Sequence, residues 1–134
     1  MTGRIDRMEV DPTARTISVV DYKTGKSYDS WKSDTKLHKY QLQLYAYKLL
    51  IEGSKAYHGY QVPTGRLEFI ESSGDDRIRS LKLTFKPEML ERTKRLVEIV
   101  WQHITQLNFP DTSSYPATLA GIKLFEQDLI DRVV

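Results

Sequence analysis

The sequence predicts a fold of mixed α and β structure (α+β or α/β), in which a sheet is flanked by helices. β-branched and alternating residues fill the first 23 positions and much of residues 56–85, a pattern typical of strands. Residues 37–52 and 87–104 instead repeat apolar side chains every three to four positions, which is typical of helices. A length of 134 residues fits one domain, which we place at residues 1–110, followed by a C-terminal tail at residues 111–134.

The first 23 residues predict a β-hairpin whose turn begins at Asp11 and Pro12. If the loop is centred between residues 13 and 14, paired positions sum to 27, and Asp6 lies opposite Asp21. Two carboxylates directly across a ladder repel each other. We therefore expect a nearby cation to compensate this pair.

A first helix is predicted at residues 37–52, where Asp34 or Thr35 is the N-cap and Gly53 ends the helix. The segment that follows is rich in strand-forming residues and is interrupted by turn residues. It is expected to complete the sheet of the hairpin. The predicted strands are residues 56–62, 66–71 and 77–85, and the predicted turns are residues 63–65 and 72–76.

Two more helices are predicted in the C-terminal half of the chain. The second helix has Pro87 at its first position, and we expect this helix to cover one face of the sheet. A short apolar stretch at residues 119–130 predicts a docking helix within the tail.

Composition excludes several classes of site. The chain has no cysteine, which excludes disulfides and cysteine-ligated zinc or iron–sulfur clusters. Lys and Arg number 20 against 18 Asp and Glu, a net charge of +2 that does not by itself indicate a polyanionic partner. No apolar run approaches the roughly 20 residues that cross a bilayer, and no signal-peptide core is present. We therefore predict a soluble, cytoplasmic protein without a membrane partner.

The residues that suggest chemistry lie at the end of the predicted hairpin. Side chains alternate along a strand, so Asp21 and Lys23 point to the same side, with Cα atoms roughly 7 Å apart. Asp6 adds a second carboxylate, and two carboxylates without cysteine suit a hard cation such as Mg²⁺ or Mn²⁺. Without the cation, repulsion should raise the pKa of one carboxyl group, so affinity for the cation should weaken as pH falls.

These three residues also fit hydrolysis of a phosphodiester. Lys23 would hold a water against a substrate phosphate, and a cation would act as Lewis acid at the phosphoryl oxygen. The alternative is that Asp-X-Lys is only a solvated strand edge with opposite charges, which is a common arrangement. Asp6 argues against this alternative, because a carboxylate placed mid-strand beside apolar neighbours needs a compensating partner.

A second cluster lies on the first predicted helix. Gln41 and Tyr45 share one face, with His38 one turn before them and Lys48 one turn beyond. Together such groups can bind a phosphate or the amine of an active site. Taken singly, Tyr45 also fits a half-buried core aromatic, His38 a surface residue and Lys48 a solvated basic face.

The order of three motifs resembles the RecB-like branch of the PD-(D/E)XK nuclease superfamily. They are Gly-X-Ile-Asp at residues 3–6, Asp-X-Lys at residues 21–23 and Gln-X-X-X-Tyr at residues 41–45. The resemblance covers residues 3 to about 50. It implies a restriction-endonuclease-like mixed sheet with flanking helices and a divalent-metal-dependent deoxyribonuclease. The end of the chain more loosely resembles the close of a nuclease domain fused behind a UvrD-type helicase.

The resemblance also assigns roles to residues. It implies that Asp6, Asp21 and the main-chain carbonyl of Tyr22 bind the metal, and that Lys23 positions the attacking water. Gln41 and Tyr45 would support Lys23 and contact the DNA strand. Catalytic residues are therefore predicted to be Asp6, Asp21, Lys23 and Gln41, and DNA-binding residues Tyr45, Gln41, Lys48 and Arg7.

Two features differ from the family pattern. Its members carry a helix before the Gly-X-Ile-Asp strand, and that helix supplies a His or Glu to the metal, whereas this chain begins at the strand. We therefore expect a fold truncated at its N-terminus, impaired activity of the isolated chain, and exposed apolar surface that favours a homodimer. Many relatives also bind an iron–sulfur cluster through cysteines, and this sequence resembles the cluster-free type.

The sequence thus favours a nuclease that uses Mg²⁺ or Mn²⁺ and forms part of a helicase–nuclease in DNA double-strand break repair and recombination. Its expected partners are DNA and helicase motor domains in the same or a partner chain. A second hypothesis is a catalytically inactive member that keeps the fold as a DNA-binding or docking module. A third is a purely structural domain in which the order of the motifs is a coincidence.

Overall fold

The computed structural model describes residues 5–24, 27–70 and 79–132. A mixed sheet flanked by helices confirms the predicted α+β class. The predicted turn at residues 72–76, and Gly3 and Gly25 of the motifs, lie outside the described residues. The elements in chain order are β1 (Arg7–Asp11), β2 (Thr16–Thr24), α1 (Thr35–Glu52), β3 (Gln61–Ile70), β4 (Arg79–Thr84), α2 (Pro87–Thr105) and α3 (Leu119–Ile130).

The strands lie in the order β1-β2-β3-β4, and the central pair β2 and β3 is parallel while both outer pairs are antiparallel. Paired positions of β1 and β2 sum to 27, as in Arg7 opposite Val20, which confirms the predicted hairpin register. Asp11 Oδ1 accepts hydrogen bonds from the N–H groups of Thr13 and Ala14, so the hairpin loop is closed by its own side chain.

The third strand, β3, differs from the prediction. The sequence predicted two strands, at residues 56–62 and 66–71, separated by a turn, but β3 runs through this turn without a break. The prediction of a turn was wrong because Pro63 lies at an irregularity of the sheet. The register of β3 against β2 shifts between Thr16 and Ser18, opposite Pro63. A bulge of this kind accommodates a residue that has no N–H to donate to the ladder.

Helix α1 covers the sheet. The side chain of Asp34 accepts hydrogen bonds from the N–H groups of Lys36 and Leu37, which confirms Asp34 as the N-cap. Leu44 and Ile51 are buried in the main core formed with the sheet. We expected α2 to lie on the sheet, but α2 packs mainly on α1 and α3, so that prediction was wrong. Apolar residues on several faces of α1 fit a helix that packs on both sides.

Helix α3 forms over the residues predicted for the docking helix. Its Leu129 packs with Leu96 and Ile99 of α2 in a second apolar cluster. It also reaches α1, because Glu126 Oε1 lies 2.8 Å from His38 Nε2. Among the described helices, none combines the length and the apolar character that crossing a bilayer requires.

Candidate active site

Asp6 and Asp21 lie side by side on the face of the sheet that α1 covers. Asp21 belongs to β2 and is only 3% exposed. Asp6 directly precedes β1, and its Oδ2 accepts a hydrogen bond from the N–H of Tyr22 at 3.0 Å. The hairpin therefore places one carboxyl group of each strand in the same small volume.

Lys23 completes this group from the same face of β2. Its Nζ lies 2.7 Å from Asp21 Oδ2 and donates a hydrogen bond to Gln43 Oε1 at 2.9 Å. The ring centroid of Tyr40 lies 4.3 Å from the same nitrogen. Gln43 Nε2 in turn donates to the Tyr47 hydroxyl oxygen at 2.7 Å. The ammonium group is thus held between a strand carboxylate and a polar and aromatic face of α1.

The surroundings of the Asp21 carboxyl group disfavour its charged form. Burial raises the pKa of Asp21, the hydrogen bond with the Asp6 carboxyl group raises this pKa further, and the ion pair with Lys23 opposes both effects. Burial is the larger cause, whereas the sequence led us to expect repulsion alone. Burial also raises the pKa of the Tyr47 hydroxyl, and the Asp21 charge adds to this effect.

The donor set fits a hard divalent cation. Asp21 Oδ2 is buried and, although paired with Lys23, accepts no hydrogen bond of regular geometry from the described residues. A carboxylate oxygen has more than one lone pair, so this oxygen can bind a cation beside Lys23, and Asp6 supplies a second carboxylate next to it. Within residues 5–24, 27–70 and 79–132, no three His, Cys, Asp or Glu side chains lie close enough together to hold a metal ion as a group. The absence of cysteine from the sequence leaves oxygen ligands and excludes a cysteine-ligated cluster.

Tyr45 lies in the core instead of beside Lys23. Its side chain is 1% exposed, and its ring packs edge-on against Phe85 at 4.9 Å between centroids. The hydroxyl oxygen accepts a hydrogen bond from the N–H of Lys86 at 2.9 Å. Tyr45 therefore fixes the start of α2, and its predicted contact with Lys23 is not formed.

Gln41 lines a cavity to which Lys23 does not contribute. Its side chain lines a small polar cavity of about 130 Å³, together with Trp31, His38 and Lys123. This cavity lies between the start of α1 and helix α3. Support of Lys23, which we expected from Gln41, comes from Gln43 instead.

The two basic residues predicted to bind DNA also lie apart from the carboxyl pair. Arg7 pairs with Val20, so alternation places it on the opposite face of the sheet, where it donates to the Tyr22 hydroxyl at 3.3 Å. Lys48 Nζ is paired with Glu52 and donates to the Val62 carbonyl at 2.8 Å. Contacts of DNA with Arg7, Lys48 and Gln41 stay predictions.

Sequence reasoning missed Tyr40 and Gln43, which contact Lys23, and Tyr47, which holds Gln43. A signal for two of them was present, because residues 41–47 contain a second Gln-X-X-X-Tyr spacing, from Gln43 to Tyr47. Both spacings are compatible with a helix, and only the rotation of α1 about its axis decides which one faces β2. In the structure, the pair that faces β2 is Gln43 and Tyr47.

Comparison with known proteins identifies a family for the chain. A family model described as the PD-(D/E)XK nuclease superfamily matches residues 1–117, a range that includes the carboxyl pair and the α1 residues around Lys23. No curated protein and no solved structure matches the chain significantly. Since the family match spans most of the 134 residues, the chain belongs to the PD-(D/E)XK nuclease superfamily.

Proposed function

We propose that the chain is a divalent-metal-dependent deoxyribonuclease whose reaction centre consists of Asp6, Asp21 and Lys23. The observation that carries this proposal is the position of the buried Asp21 carboxyl group, which contacts Asp6 on one side and Lys23 on the other. Membership in the superfamily supports nuclease activity. The choice of DNA as the substrate and of Mg²⁺ or Mn²⁺ as the cofactor goes beyond this membership and is part of our proposal.

Asp6, Asp21 and the main-chain carbonyl of Tyr22 would hold the cation. A bound Mg²⁺ or Mn²⁺ supplies Lewis-acid polarisation of a phosphoryl oxygen. The raised pKa of Asp21 reflects a carboxylate that is poorly compensated in the protein alone, which favours binding of a positive charge. The N–H of Tyr22 holds the Asp6 carboxylate in position for this role.

Lys23 would orient the water and stabilise the negative charge that develops on the phosphate. An ammonium group has three protons to donate; in the described part of the chain Gln43 accepts one of them, and the charge of Lys23 is paired with Asp21. A further N–H of Lys23 would donate to the oxygen of the attacking water or to a phosphate oxygen. Hydrolysis then adds the water hydroxyl to phosphorus, and the leaving oxygen takes the remaining proton.

The proposal extends to the biological setting. The order of the three motifs supports a nuclease of the RecB-like branch, with a core at residues 1–110 and a tail at residues 111–134. We place this domain in a cytoplasmic helicase–nuclease that processes double-strand breaks during recombination. Its partners would be DNA and the helicase motor domains.

The experiment is cleavage of end-labelled duplex and single-stranded DNA with Mg²⁺ or Mn²⁺, combined with calorimetric titration of Mn²⁺. The variants are Asp21→Asn and Lys23→Ala, and the matched control is Asp131→Asn at the exposed end of α3. We expect Asp21→Asn to lose both Mn²⁺ binding and cleavage. Lys23→Ala should bind Mn²⁺ but cleave at least about a hundredfold more slowly, and Asp131→Asn should resemble the wild type.

Two results would contradict the proposal. Wild-type cleavage rates and metal dependence in Lys23→Ala would remove the role assigned to the lysine. Binding of DNA without metal binding and without cleavage in the wild-type protein would favour the catalytically inactive DNA-binding module instead.

A further inference from the structure

We infer that Tyr40 is a positioning residue for Lys23, acting through the face of its aromatic ring. The inference rests on the proposed function, because it assigns Lys23 to the reaction centre. It concerns a residue outside the three sequence motifs. The observation that carries it is the placement of the Lys23 ammonium nitrogen 4.3 Å from the Tyr40 ring centroid.

The distance and the burial both favour a strong contact. A cation within about 6 Å of a ring centroid is attracted by the negative face of the ring, and the attraction grows as water is removed. The Lys23 side chain is 18% exposed, so little water remains around its charge. By comparison, Lys32 lies 5.3 Å from the Tyr28 ring and is exposed, which gives a longer and more hydrated contact.

The ring is itself fixed by its surroundings. Tyr40 packs against the main apolar core and is only partly exposed. It lies one turn before Gln43 on α1, so both side chains face the same ammonium group. Gln43 sets the direction of one N–H bond, and the Tyr40 ring limits the side from which water can reach the nitrogen.

An aromatic ring has an advantage over a second carboxylate at this position. A carboxylate would hold the ammonium group but would also cancel its charge. The ring attracts the cation through its quadrupole and carries no net charge. Lys23 therefore keeps the positive charge that a phosphate requires while its position is restricted by Tyr40, Gln43 and Asp21.

The test compares Tyr40→Leu, which keeps apolar volume but removes the ring face, with Tyr40→Phe, which keeps the ring. Tyr57→Leu is the matched control, because Tyr57 is a partly buried tyrosine packed on the same core. The first measurement is NMR of the Lys23 ε protons in lysine-labelled protein at a single pH. A proton above a ring face resonates upfield, and a restricted side chain shows two separate ε-proton signals.

We expect the upfield position and the separate signals in the wild type, in Tyr40→Phe and in Tyr57→Leu. Both should be lost in Tyr40→Leu. An unchanged Lys23 spectrum in Tyr40→Leu, or a wild-type spectrum typical of a mobile lysine, would overturn the inference.

The second measurement separates kcat from KM for DNA cleavage. Tyr40→Leu should lower kcat about three- to tenfold with little change in KM, and Tyr40→Phe should remain within about twofold of the wild type. Equal losses in both variants would overturn the role of the ring. If the wild type does not cleave DNA, the proposed function fails, and the NMR comparison still decides whether Tyr40 positions Lys23.

Discussion

Lys23 Nζ and Gln43 Oε1 lie 2.9 Å apart and join strand β2 to helix α1 at the reaction centre. Because the donor is charged and only 18% exposed, this hydrogen bond is stronger than one between neutral surface groups. Gln43 is itself held by its bond to the Tyr47 hydroxyl oxygen. The contact therefore fixes the direction of the lysine relative to the carboxyl pair.

The first prediction compares Gln43→Ala with Gln41→Ala. Loss of Gln43 should leave Lys23 without its amide partner and lower the rate of DNA cleavage about tenfold. Gln41→Ala should remain within about twofold of the wild type, because Gln41 lines a separate cavity. The measurement is the single-turnover rate at saturating Mg²⁺, with circular dichroism as the check of folding. A larger loss in Gln41→Ala than in Gln43→Ala would contradict the observed orientation of α1.

The choice between these two glutamines shows where sequence reasoning reaches its limit. The hairpin register could be predicted, because turn residues and alternation together leave one register that puts Ile17 and Val19 inside. The rotation of α1 about its own axis could not be predicted, because the apolar residues of this helix lie on several faces. Local spacing alone does not distinguish the pair at residues 41 and 45 from the pair at residues 43 and 47.

The course of β3 was beyond prediction for a related reason. Pro63 and Gly65 are turn residues by composition, but their conformation is decided by the neighbouring strand and by α1. A Cβ on Gly65 would lie 3.2 Å from the Phe85 ring and 3.4 Å from Leu44, so the glycine permits close packing. These contacts join residues that are distant in the chain, so the local sequence does not reveal them.

The second prediction concerns Tyr45→Phe. The Tyr45 hydroxyl is buried and accepts a hydrogen bond from the Lys86 N–H, so its removal leaves a donor unpaired at the start of α2. We expect a loss of about 1 kcal/mol in the free energy of unfolding, measured by urea denaturation. Cleavage at a temperature where both proteins are folded should be unchanged. A lower cleavage rate with unchanged stability would instead support a direct role at the reaction centre.

The third prediction concerns the attachment of α3. Glu126 is 8% exposed and lies 2.8 Å from His38 Nε2 on α1, while Arg92 of α2 lies 3.9 Å from its other oxygen. Glu126→Ala should remove these contacts, leave His38 unpaired and lower the free energy of unfolding by about 1–3 kcal/mol.

The matched control for this prediction is Glu98→Ala, which removes an exposed glutamate from α2. Its effect should stay within about 0.5 kcal/mol. Denaturation curves of the two variants should be compared at the same pH and ionic strength. Equal stability of Glu126→Ala and Glu98→Ala would show that the Glu126 contacts do not hold α3.

The fourth prediction is that Asp21→Asn stabilises the metal-free protein at neutral pH. Since the pKa of Asp21 is raised on folding, the folded state binds its proton more tightly than the unfolded chain does. The resulting stability is fully present below the ordinary pKa of an aspartate and is lost as pH rises through the raised pKa. The asparagine side chain of Asp21→Asn is neutral, like the protonated carboxyl group, so the variant does not lose this stability as pH rises. The difference in the free energy of unfolding amounts to about 1.4 kcal/mol for every tenfold difference in proton affinity between the folded and the unfolded state.

Urea denaturation in the presence of a chelator, from about pH 3 to about pH 8, measures this effect. Asp111→Asn is a control of opposite sign, because hydrogen bonds from Ser113 lower the pKa of Asp111, whose contribution is therefore lost as pH falls. Asp111→Asn should thus be less stable than the wild type at neutral pH. Adding Mn²⁺ should raise the stability of the wild type but leave Asp21→Asn unchanged, since ligand binding stabilises only the folded state that can bind it. A lower stability of metal-free Asp21→Asn at neutral pH would show that Lys23 compensates Asp21 fully, and the carboxyl pair would then have no electrostatic need for a cation.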